Sequence, residues 1–186
     1  QFMLALKKLL STAALVLGLI LLYNVTASFS YGRKPMSLDI DRQKPEADQV
    51  YEAALYFMQD FNELAQSFER DAEGNVIPTY GFSQLSERIR EEYSRLDGGY
   101  FGPALKAKPM VYSKLMSYLG FSGIFMSITA EPNVNRDIPP SQLPLVMAHE
   151  MAHSAGVMRE NEANLLSYYL LLGSGDGYLR YSAYMS

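Results

Sequence analysis

Cysteine is absent, and histidine occurs only twice in the 186 residues. Without cysteine the chain forms no disulfide and offers no thiolate, so any metal it holds is bound through nitrogen and oxygen. That absence is compatible with either side of a membrane. Positive charge is also scarce: 16 Lys+Arg against 20 Asp+Glu leave a net charge of −4, and no basic stripe is present. Nucleic acid is therefore not an expected partner, since phosphate binding needs a concentrated basic surface. No internal repeat or low-complexity tract is found. The length suits one domain plus a membrane segment.

The two histidines stand four residues apart, in Ala148-His149-Glu150-Met151-Ala152-His153. On an α-helix this spacing turns the side chains by roughly 40°, so both imidazoles leave one face and can meet one ion. H-E-x-x-H is the pattern of the zinc-metalloprotease helix. Neutral imidazoles at 149 and 153 suit Zn²⁺, and the Glu150 carboxylate serves as general base on the water in the open fourth position. So short a pattern also arises by chance in unrelated helices. Three local facts weigh against chance. No other histidine is scattered along the chain. The flanks read as one helix, with Ser141 as N-cap, Pro144 in the first turn, apolar Val146, Ala148, Met151, Ala152 and Ala155, and Gly156 as its end. Two carboxylates follow at once, in Arg159-Glu160-Asn161-Glu162-Ala163-Asn164.

A zinc peptidase site takes three protein ligands. A second helix is expected from about Glu160 to Leu172, with Glu160 the expected third ligand and Glu162 the alternative. The two lie about 200° apart around a regular helix, so at most one faces the metal. Glutamate-liganded zincins carry Asp or Asn four positions after that Glu, holding a ligand histidine from outside; Glu160 with Asn164 fits. The E-N-E-A-N sequence also resembles the E-x-x-A-D helix of membrane-bound CAAX-type peptidases, with Asn164 where those have Asp. An H-E-x-x-H-x-x-G-x-x-H protein would carry histidine at Arg159, so the metzincin reading fails.

Lys7 and Lys8 precede an apolar run from Leu9 to Tyr23 that continues weakly to Phe29, long enough to span a bilayer. A signal peptide with cleavage after Val25-Thr26-Ala27 is the competing reading. Length favours the transmembrane helix; orientation is unspecified, since basic residues flank both sides. Tyr31 to Pro45 reads as an extended link. A helix follows from about Pro45 to Arg70, whose Val50, Ala54, Phe57, Phe61, Leu64 and Phe68 form one apolar packing stripe. A shorter helix is expected over Ser83–Leu96, stopped by Asp97-Gly98-Gly99. Lys108-Pro109 opens another, about Met110 to Leu119. Residues 121–129 suggest a strand, with 124–129 either an edge strand that pairs with extended substrate or an ordinary buried strand. Tyr178, Tyr181, Tyr184 and Arg180 are candidates for oxyanion stabilisation, weighed against plain packing.

Y-G-R-K-P at 31–35, K-P-M-V-Y-S-K-L-M-S-Y-L-G-F-S-G-I-F at 108–125, E-P-N-V-N at 131–135, L-P-L-V-M-A-H-E-M-A-H-S-A-G at 143–156, R-E-N-E-A-N at 159–164 and R-Y-S-A-Y at 180–184 together resemble a bacterial membrane family. That family is catalogued as domain of unknown function 3810 and regarded as zinc metallopeptidases. The resemblance implies further membrane helices before Gln1 and more catalytic domain after Ser186. Gln1 in place of Met and the stop after a helix-like run also suggest a fragment. Two departures stand out: Ser127-Ile128-Thr129-Ala130 where the family shows Pro-Phe-Thr-Gly, and Leu165 for a usual Phe.

The expectation is a mainly α (α+β) zincin-like metallopeptidase domain with a small edge β-strand region, preceded by an N-terminal transmembrane helix. Residues 1–30 would anchor it in the bacterial cell membrane, 31–44 link, and 45–186 form the catalytic domain. His149, His153 and Glu160 would bind Zn²⁺, with a peptide or protein as substrate and the lipid bilayer as surroundings. The alternative is a zinc-binding membrane sensor or scaffold without turnover. A helical interaction module with a chance motif, binding no metal, is the third reading.

Overall fold

The computed structural model describes residues 2–32, 36, 44–96 and 100–186. Most of the expected 31–44 link, including Arg33-Lys34-Pro35, and the Asp97-Gly98-Gly99 stop lie outside them. The protein is mainly helical with a small three-stranded sheet. Helix α1 runs over Phe2–Tyr31; its Phe2–Phe29 stretch is largely exposed, and long and apolar enough to cross a membrane.

Helix α2, Ala47–Ser67, follows the periodic stripe but packs only in part. Phe61, Leu64 and Phe68 are half-buried, whereas Val50 and Phe57 are exposed, so the stripe predicts one more buried face than the structure has. Helix α3, Phe82–Tyr93, buries Leu85, Ile89 and Tyr93. Strand β1, Lys108–Pro109, stands where a helix start is expected, and helix α4 is confined to Ser113–Tyr118. Tertiary pairing overrides the proline signal here. β1 runs parallel to β3, Glu131–Val134, with Lys108 opposite Asn133 and Pro109 opposite Val134. Strand β2 is Gly123–Met126, shorter than the 121–129 expectation, and pairs antiparallel with β3. A turn takes over at 127–130, where Ala130 has φ 55°.

The sheet order β1-β3-β2 places β3 in the centre despite Pro132. Proline lacks an N–H and is normally confined to edges. Here β1 ends its pairing at Asn133, so Pro132 faces a strand only on its β2 side. That two-residue partner is why the E-P-N-V segment is not legible as a central strand.

Helix α5, Leu143–Ser154, is the centre of the core: Met147, Ala148, Met151 and Ala152 have no exposed surface. Its N-cap is Gln142, one residue later than the expected Ser141, with Pro144 in the first turn as anticipated. Helix α6, Glu160–Leu172, and helix α7, Gly177–Met185, pack beside it, with α3 and the sheet on its other sides. Small side chains at 148, 152, 155 and 163 bring the helices close. Tyr93 Oη donates to the Ala148 carbonyl at 2.7 Å, and Ser182 Oγ on α7 accepts from the Leu145 N–H at 3.2 Å. The second contact satisfies one of the first-turn amides that a helix leaves without an internal partner.

Candidate metal centre

The end of α5 sets the site. Gly156 has φ 97°; its N–H donates to the His153 carbonyl at 3.0 Å, and the Val157 N–H to the Ala152 carbonyl at 3.0 Å. These two bonds form a Schellman motif, which glycine enters without the Cβ penalty of a left-handed backbone. The turn points the Val157 carbonyl back at the helix, 2.8 Å from His153 Nδ1. Nδ1–H donates to it, so Nε2 carries the lone pair. Burial pushes the His153 pKa down, which favours the neutral ring needed for ligation.

The same turn delivers Glu160, the first residue of α6, to the two histidines. His149 Nε2 lies 3.1 Å from Glu160 Oε2 and 3.1 Å from His153 Nε2, and His153 Nε2 is 3.5 Å from Glu160 Oε1. One proton on His149 Nε2 can be aimed at one of these acceptors, not at both. A cation held there would take a lone pair from each of the three residues. Four ligands at zinc–nitrogen and zinc–oxygen bond lengths of about 2.0–2.1 Å stand about 3.3 Å apart in a tetrahedron. The two His149 contacts, at 3.1 Å, lie close to that edge, and the ligand-capable atoms of His149, His153 and Glu160 all lie within 4.8 Å of one another, a donor set of a type that zinc takes.

Glu162 goes elsewhere. It is buried on the far side of α6, where its carboxylate accepts from the Met36 N–H at 3.2 Å and faces Arg159 at 3.5 Å. Asn164 is exposed, and among the described residues it makes no hydrogen bond to either histidine. The expected orienting role therefore passes, for His153, to the Val157 carbonyl. The reason is geometric: the Schellman turn brings a backbone acceptor to Nδ1 before any side chain of α6 can reach it.

Glu150 lies on an adjacent wall of the same cavity, about 230 Å³ in volume, which is also lined by His149, His153, Glu160, Met158 and β2. Burial, and then the charge of Glu160, raise the Glu150 pKa to about 8. The carboxylate is held against β2 at Gly123, where a Cβ would stand 2.3 Å from Glu150 Oε1. Phe125 packs against the His153 ring at 5.8 Å between centroids.

The α7 tyrosines do not reach this cavity. Tyr178 Oη donates to the Pro140 carbonyl at 2.9 Å, Tyr181 stacks on Phe61 at 5.7 Å, and Tyr184 Oη donates to Asp60 Oδ2 at 2.5 Å. Arg180 faces Asp60 at 3.5 Å. All four fasten α7, directly or through the aromatic stack, to α2 or the loop before α5, so the packing alternative holds and the oxyanion role does not.

Two groups of lining residues are not anticipated from the sequence. Gly123 interrupts a β-branched and aromatic run, and an isolated glycine in a strand signals close approach of another group. Tyr23, Ala27 and Tyr31, one face of α1, form the remaining wall, and no local pattern marks them.

No curated protein and no solved structure matches the chain. A family model described as Protein of unknown function (DUF3810) matches residues 1–186, and the chain belongs to that family.

Proposed function

We propose that this protein is a membrane-anchored, zincin-like zinc metallopeptidase that hydrolyses peptide bonds. The observation that carries the reading is the convergence of His149 Nε2, His153 Nε2 and the Glu160 carboxylate, with the Glu150 carboxylate in the same cavity. Two neutral imidazoles and one carboxylate, without thiolate, are the ligand set of a catalytic zinc site with an open position. Zinc held there supplies a Lewis acid that polarises a carbonyl, acidifies water and, as a nearby divalent charge, favours the ionised form of buried Glu150.

Glu150 takes the proton of the attacking water and returns it to the leaving amine. Gly123 fixes where that carboxylate stands, because β2 packs directly on it. Val157 fixes the His153 tautomer. Anchoring by α1 is supported by the apolar length of its Phe2–Phe29 stretch and by its contribution of a cavity wall, which a cleaved leader would remove.

The test is the zinc content of the detergent-purified full chain, wild type beside His149→Ala, followed by peptide-library cleavage by wild type and Glu150→Gln. About one zinc per chain, lost on His149→Ala, with cleavage abolished by Glu150→Gln at unchanged zinc, is the expected result. Absence of zinc from the folded wild type overturns the metal reading. Zinc without cleavage overturns turnover and leaves a sensor or scaffold.

A further inference from the structure

The cavity has two dissimilar walls. One carries the His/Glu cluster and β2; the other is α1, through Tyr23, Ala27 and Tyr31 at successive steps of four, which places them on one helix face. From Leu9 to Phe29 the apolar run of α1 is about 30 Å long at 1.5 Å per residue, the thickness of a bilayer core. Phe29 then marks the boundary of that core. Tyr31 stands just outside it and Tyr23 about 9 Å inside, so this wall straddles the boundary between the headgroup layer and the core. The cavity therefore opens at the membrane surface.

Three further features describe what fits there. Among the described residues no strand pairs with the outer edge of β2, so its backbone groups are open to an added strand. Beyond β2 the surface continues through exposed Met126 and Ile128. The volume, about 230 Å³, is below the roughly 300–1,000 Å³ of pockets for drug-sized ligands, which excludes a folded body and leaves room for an extended chain that passes through.

Resting on the hydrolase reading, we infer that the substrate is the juxtamembrane segment of a membrane-anchored polypeptide, bound as an extended strand between β2 and the last two turns of α1. A chain leaving its own span passes this cleft at the right depth, whereas a dissolved peptide must first enter the headgroup layer. The reaction is hydrolysis of one amide: water adds across the C–N bond, giving a carboxylate on one fragment and an amine on the other.

The experiment uses the full chain with zinc in phosphatidylcholine–phosphatidylglycerol vesicles. The probe is a long unfolded casein segment, either fused to a single-span anchor in the same vesicles or added free, with cut positions read by mass spectrometry. Cuts are expected within about ten residues of the span, the reach of roughly 33 Å of extended chain, and about tenfold faster than in the free segment. Cuts spread evenly along the anchored segment, or equal rates for the free one, overturn the inference while leaving peptidase activity intact. No cleavage of either probe by zinc-loaded protein overturns the hydrolase reading instead.

A second arm does not depend on turnover. Glu150→Gln protein carrying a benzophenone photo-crosslinker at position 31 should capture the span-proximal part of the anchored segment. Capture along its whole length, or none, overturns the inference. Ala27→Trp, which fills the α1 wall, should slow cutting of the anchored segment about tenfold at unchanged zinc content; full activity would remove α1 from the substrate path.

Discussion

Glu160 and Glu162 are two residues apart, chemically identical and yet in different surroundings: one meets both histidines, the other is buried against the Met36 amide. Glu160→Ala should weaken zinc binding by more than the 10–100-fold typical of lost outer partners. Glu162→Ala should leave affinity nearly unchanged and cost about 1 kcal/mol of stability. Chelator competition and denaturant titration measure the two effects, and the reverse ranking would move the ligand to Glu162. Gly123→Ala probes the proposed role of Glu150 as base. The added Cβ would stand 2.3 Å from Glu150 Oε1, so strand or carboxylate must shift. Misplacement by about 1 Å can cost about 10²-fold in rate, which is the loss expected at retained zinc. Unchanged turnover would show that β2 does not hold the carboxylate.

At the scale of elements, the turn between α5 and α6 is the device that assembles the centre. It ends the helix of His149 and His153, starts that of Glu160 and supplies the Nδ1 acceptor, all within Ala155–Glu160. Gly156→Ala forces a side chain into φ 97°, at a cost of about 1–2 kcal/mol, and displaces the Val157 carbonyl. Both a lower melting temperature and weaker zinc affinity are expected; loss of stability alone would separate the turn from ligation. The α2–α7 contact plays a different part. Burial, and then Asp60, push the Tyr184 pKa up to about 12, so its hydroxyl stays a donor to that carboxylate. Tyr184→Phe should lower stability by about 1 kcal/mol and leave cleavage rates intact; a rate loss at full stability would return the residue to the reaction.

The whole molecule joins a core built around α5 to a helix that stays outside that core. A ligand that binds only the folded state stabilises it by about 2.7 kcal/mol at a hundred times its dissociation constant. Removing zinc with a chelator should therefore lower the melting temperature of the wild type, with the shift absent from His149→Ala. An identical shift in both proteins would mean that the ion responsible binds elsewhere.

Much of the centre was legible along the chain because its parts are close in sequence. His149, Glu150 and His153 share one helix whose period alone sets their common face, and Glu160 lies one turn beyond Gly156, a residue that announces a helix end. The same locality makes the α6 bounds and the apolar length of α1 readable. What depends on distant partners was not readable in this way. β3 becomes a central strand with Pro132 inside it only because β1 is two residues long, and Lys108-Pro109 becomes a strand only because β3 is there to pair with it. Asn164 fits a ligand-holding spacing, but a backbone carbonyl reaches His153 first. The stripe on α2 records the capacity to be buried, and only contact with α7 decides how much of it is. The sequence by itself determined the chemistry the chain can offer, because donor type and helical period are local properties. The tertiary structure decided which carboxylate meets the histidines, where the Glu150 carboxylate is held and that α1 walls the cavity, because those depend on which surfaces the fold brings together.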